Sequence, residues 1–84
     1  MYELMFSQVV QKQQKIIPQK DLEKIKKILL ELKENPRPLY CKKLVGSEQS
    51  YRVRYRYWRI LYAIDDKKSI VTIYGVLPRK EAYR

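Results

Sequence analysis

Tyr51-Arg52-Val53-Arg54-Tyr55-Arg56-Tyr57-Trp58-Arg59 sets four arginines and four aromatic residues in nine positions. Successive side chains of an extended chain point to opposite faces, so Tyr51, Val53 and Tyr55 fall on one side and Arg52, Arg54 and Arg56 on the other. The apolar residues upstream recur instead with a period near 3.6, which places the change from helix to sheet at residue 51. Downstream, Trp58 to Ile64 alternates Ile60, Tyr62 and Ile64 against Arg59, Leu61 and Ala63. Asp65-Asp66-Lys67-Lys68 reads as a polar turn, and Ser69 to Val76 as a third β-rich run. Three consecutive strands with short links predict an antiparallel meander.

Working back from residue 51, Leu39 to Ser50 reads as a connecting segment with a turn at Gly46-Ser47, and Asn35-Pro36-Arg37-Pro38 as a helix stop. Asp21 to Glu34 carries Leu22, Ile25, Ile28, Leu29 and Leu32 three or four residues apart, which predicts a helix that buries one face and turns its lysines outward. A thinner stripe of Val9, Val10, Ile16 and Ile17 predicts a first helix over roughly 8–16, capped by Ser7 and bounded by Pro18. Tyr2 to Phe6 alternates as a short strand. The expected architecture is α+β: an N-terminal strand, a two-helix hairpin, then the meander, with the helices covering one face of the sheet and a tail over 77–84.

The 84 residues make one domain, read as 1–84, and with apolar residues at 45% the chain holds enough for a modest core. Nineteen Lys and Arg against nine Asp and Glu leave a net charge of +10, a field that attracts polyanions. Nucleic acid, an acidic protein and an anionic membrane surface all answer that description. The longest apolar run, Ile60 to Ile64, is far short of the ~20 residues of a spanning helix. The N-terminus lacks the basic start and apolar middle of a signal peptide, so the expected location is the cytoplasm. The single Cys41 forms no internal disulfide and the chain has no histidine, so neither a zinc set nor a metal or other cofactor is called for.

A meander covered on one side leaves its other face in water, and Arg52, Arg54 and Arg59 are expected to stand there. Guanidiniums on neighbouring sheet positions repel one another unless a counter-charge arrives, and they pair bidentately with phosphate. An ordinary polar outer face explains the alternation equally well. Lys42 and Lys43 are candidate phosphate contacts, a solvated pair being the plainer account. Arg56 is a further basic candidate, and Tyr57 or Trp58 a ring for stacking on a base. Arg79 and Tyr83, four residues apart, would share a face of a helical turn, or fray as a terminus.

The order of pieces is also informative: a strand, a helical hairpin, Glu34-Asn35-Pro36-Arg37-Pro38, Lys43-Leu44-Val45-Gly46, Tyr51-Arg52-Val53-Arg54, Trp58-Arg59-Ile60-Leu61-Tyr62-Ala63-Ile64 and Arg79-Lys80-Glu81-Ala82-Tyr83. Over nearly the whole chain this resembles the RelE/ParE superfamily of type II toxin–antitoxin toxins. The resemblance implies a growth inhibitor silenced by a cognate antitoxin protein. In its RelE-type branch, toxins cut mRNA in the ribosomal A site; in its ParE-type branch they poison DNA gyrase and lack the nuclease residues. By position, the RNA-cutting set maps onto Arg52 and Arg54, Arg59, Arg79 and Tyr83. Many relatives carry Gly-Asp or Gly-Asn where Arg56-Tyr57 stands and a histidine where Pro78 stands, and some active RNA cutters have lysine where the strand here has arginine.

Attack of a 2′-hydroxyl on its own phosphate needs a base, a stabiliser of the extra negative charge and help for the leaving oxygen. Arginine serves the second role, but its pKa is too high for the first. Without histidine, Tyr83 is the candidate base, its phenolate favoured by neighbouring guanidiniums. The resemblance then implies that Arg59 and Arg79 hold the scissile phosphate while Arg52 and Arg54 bind backbone and assist the leaving group. Two other expectations stand beside this one: a gyrase inhibitor, and a catalytically degenerate module that binds RNA and an antitoxin.

Overall fold

A computed structural model of the chain describes residues 1–78. Its elements run β1 (Glu3–Phe6), α1 (Gln8–Gln13), a 3-10 turn (Gln14–Ile16), α2 (Gln19–Glu34), β2 (Cys41–Lys43), β3 (Ser50–Tyr55), β4 (Trp58–Asp65) and β5 (Ile70–Pro78). The Ser7 hydroxyl accepts the Val10 amide and opens α1. The first helix is shorter than its expected span. Pro18 forces Ile17 into an extended conformation (φ −83°, ψ 128°), and the turn before it tightens to 3-10 geometry. Pro18 itself occupies the N-cap of α2, so that helix begins at Gln19 rather than Asp21.

All five strands form one sheet in the order β1-β5-β4-β3-β2. The meander β3-β4-β5 is antiparallel as expected, but the whole sheet is mixed, because β1 pairs in parallel with β5. The segment over 39–50, read as a connection, contains β2, which pairs with β3 through Lys42 opposite Arg52. Three residues, two of them lysines, carry too little alternation to reveal a strand before its partner is known.

The helices cover one face. Ile25, Leu29 and Leu32 of α2 pack with Val53, Trp58, Ile60, Tyr62, Ile64, Val71, Ile73 and Val76, all buried. Tyr62 is fully buried; its hydroxyl donates to the Pro36 carbonyl at 2.8 Å, and burial pushes the phenol far above the ordinary tyrosine range. A bulge in the β4-β5 pairing keeps β5 in phase with the core. Leu61 pairs with Gly75 but Tyr62 with Ile73, so Tyr74 is the extra residue and Val76 turns inward beside Ile73. Gly75 fits because a Cβ there would stand 3.2 Å from the Leu61 side chain.

Around the rim, Arg37 forks onto the Asp66 carboxylate at 2.8 and 3.2 Å, and its Nε donates to the Tyr51 hydroxyl at 3.1 Å. Tyr2 donates to the same carboxylate, and the Arg37 and Tyr2 hydrogen bonds hold Asp66 below the usual carboxylate range. This cluster ties the N-terminus, the loop after α2, β3 and the β4-β5 turn together.

A cationic cavity on the open face

Pleating sends every second residue of β3 and β4 away from the helices, and the register decides which of them meet. Arg54 stands directly opposite Arg59, and Lys42 directly opposite Arg52. With Tyr40, these four cations line one open cavity of about 370 Å³. Arg52 is half-buried, Arg54 and Lys42 are exposed, and Arg59 lies at 2% exposure in the floor. All three arginines line the same cavity on that side of the sheet, but the expectation that they stand in water fits only Arg54 and, in part, Arg52, since Arg59 is buried.

Like charges directly opposite one another weaken a sheet. Here two such pairs are adjacent, and Lys42, Arg52 and Arg54 have no ion-pair partner among the described residues. The ion pair recorded among those residues, Arg37 with Asp66, lies at the rim. Chemically, such a cluster suits an anion with several oxygens, phosphate among them, because guanidiniums meet those oxygens through paired donors.

Other sequence-derived candidates fall elsewhere. Lys43 pairs with Tyr51, one step out of phase with Lys42, so it faces the other side of β2. Arg56 and Tyr57 form the tip of the β3-β4 hairpin. The turn is tight without a glycine: Tyr55 pairs with Trp58, and Arg56 takes a positive φ of +52°, a conformation that glycine adopts more readily. Trp58 is a correction to the stacking expectation. Its even-numbered phase puts it in the core at 8% exposure, where its indole N–H donates to Asp21 of α2 at 3.0 Å. Arg79 and Tyr83 lie outside the described residues.

The residue that sequence reasoning passed over is Tyr40. Its hydroxyl donates a short hydrogen bond to the Glu31 carboxylate of α2. Burial, then that bond, pushes the phenol up to about 12, so Tyr40 is a neutral donor near pH 7 and not a base. Its only signal is that it precedes Cys41-Lys42 in a strand that was itself hidden. No group of three or more Cys, Asp or Glu placed to hold a metal ion occurs among the described residues, and no described helix is long and apolar enough to cross a membrane.

The family model for the ParE toxin of the type II toxin–antitoxin system matches residues 4–83. A Methanocaldococcus jannaschii protein named as toxin RelE1 is 35% identical over 78 residues, spanning 89% of this chain and 87% of its own. The isolated E. coli RelE toxin superposes with a TM-score of 0.84 at 30% identity, over 99% of this chain and 92% of its own. The matching chain of the intact E. coli RelBE toxin–antitoxin complex gives 0.81 at 29% identity, over 90% and 94%. The mixed sheet with its helical cover is thus that of these toxins, and the chain belongs to the RelE/ParE superfamily of type II toxin–antitoxin toxins.

Proposed function

We propose that this toxin is an endoribonuclease that cuts mRNA, on the ribosome and in the cytoplasm, until a cognate antitoxin silences it. The observation that carries this reading is the convergence of Lys42, Arg52, Arg54 and Arg59 on one cavity. In the proposed reaction the ribose 2′-oxygen attacks the adjacent phosphorus while Tyr83, as phenolate, takes its proton. Arg59 and Arg79 hold the phosphate as a fifth oxygen crowds it and negative charge builds. The bond to the 5′-oxygen then breaks; Arg52 and Arg54 stabilise that oxygen until water protonates it, and the Tyr83 phenol returns its proton to solvent. The products are a 2′,3′-cyclic phosphate and a free 5′-hydroxyl. Lys42 extends the track along the backbone. An acidic antitoxin segment laid across the same cations would exclude RNA, and the net charge of +10 favours its fast capture.

A second reading has its own support, since the matching family model is that of the gyrase-directed ParE branch while the similar solved structures include RelE toxins. Induction without antitoxin separates the two. The ribonuclease reading expects new mRNA ends within translated regions, carried on 5′-hydroxyls and absent in Tyr83→Phe. A DNA-damage response with intact mRNA would instead select gyrase inhibition. RNA binding with neither outcome would mark a degenerate module.

A further inference from the structure

We infer that Tyr40 is the platform on which a base of the bound RNA stacks, an inference that deepens the ribonuclease reading and rests on it. Cations hold the backbone of a single strand but leave its unpaired bases in water, and sites for such strands set an aromatic ring beside the charges. Most of the other aromatic rings among the described residues are engaged elsewhere. Trp58 and Tyr62 are core residues, and Tyr51 stacks on Tyr62 with ring centres 5.9 Å apart. Tyr55 lies under the Arg56 guanidinium at 6.0 Å, and Tyr2 is bound to Asp66. Tyr57 is exposed at the hairpin tip and does not line the cavity. Tyr40 does line it, together with all four cations, and at 50% exposure it has ring surface to offer.

Its surroundings suit that task. The bond to Glu31 anchors the far end of the side chain to α2, so the ring is oriented before RNA arrives and loses little freedom on stacking. A neutral ring among guanidiniums also adds no charge that would repel phosphate. The competing role is a strut that pins the loop before β2 to α2. A strut needs the hydroxyl, whereas a platform needs the ring.

Affinity of the full-length chain for a single-stranded 2′-O-methyl oligonucleotide, which lacks the attacking hydroxyl, separates these roles. Tyr40→Phe and Tyr40→Leu both lose the Glu31 bond, so their comparison isolates the ring. The expected result is that Phe and Trp at this position bind within about 3-fold of wild type while Tyr40→Leu binds about 10-fold or more weakly, as for a lost base–aromatic stack. Equal affinities of Tyr40→Leu and Tyr40→Phe, whether both high or both low, would overturn the inference. Arg52→Ala supplies the control. If it weakens binding while Tyr40→Leu does not, stacking alone fails; if it leaves binding unchanged, the ribonuclease reading fails with it.

Discussion

Arg59→Ala is expected to lower mRNA cleavage by about 10²- to 10³-fold, the loss that follows removal of one preorganised donor from a developing negative charge. Position explains why this arginine outranks its neighbours. Arg54 and Lys42 are exposed, where solvent screens their charge, whereas Arg59 sits in the cavity floor at 2% exposure. Charge held there acts through less water and is fixed by β4, whose flanking Trp58 and Ile60 are buried in the core. Arg59→Lys should fall between wild type and alanine, because it keeps the charge but not the planar fork. Quantitative mapping of 5′-hydroxyl ends after induction reads both variants. Thermal melts beside it show whether the alanine variant is folded, since truncating a buried side chain also leaves a hole. A folded Arg59→Ala chain that cuts at the wild-type rate would remove this residue from the proposed machinery.

The second large effect is on stability. Tyr62→Ala should cost about 3–5 kcal/mol, the range for losing a buried aromatic ring, and Tyr62→Phe about 1–3 kcal/mol for the orphaned Pro36 carbonyl. The ring is fully buried, stacks on Tyr51 and joins the sheet to the loop that ends α2. Because small domains have only about 5–15 kcal/mol in total, the alanine variant is expected to be largely unfolded at growth temperature. Urea unfolding monitored by circular dichroism measures both. A Tyr62→Phe chain as stable as wild type would mean that water replaces the lost hydroxyl, and that the Pro36 tie does not hold the loop.

The meander and its faces were legible from residue 51 onward because burial on one side alone imposes a period of two, and Val53, Ile60, Tyr62 and Ile64 obey it. The same alternation put Arg52, Arg54 and Arg59 on one face. What stayed hidden depended on pairing between distant segments. Cys41-Lys42-Lys43 becomes a strand only against β3, and only that register separates Lys42 from Lys43. The parallel seat of β1 beside β5 has no local signature either. Trp58 misled because an aromatic beside arginine suggests a stacking ring, whereas its phase with Ile60 and Tyr62 already assigned it to the core. Tyr40 was invisible for the same reason as β2. The bulge at Tyr74 breaks the β5 alternation at a point where sequence offers only Gly75 as a hint.

The most direct test of the central claim is the salt dependence of binding to the uncleavable oligonucleotide. Single-strand binding loses about 0.7 in log–log slope per phosphate contacted, so three or four cavity cations predict a slope of about −2 to −3. Arg52→Ala and Arg54→Ala should each reduce its magnitude by about 0.7, while Lys24→Ala, on the exposed side of α2, leaves it unchanged. Equal shifts from all three variants would contradict the account, since RNA would then be answering the net charge of the whole protein and not the cavity.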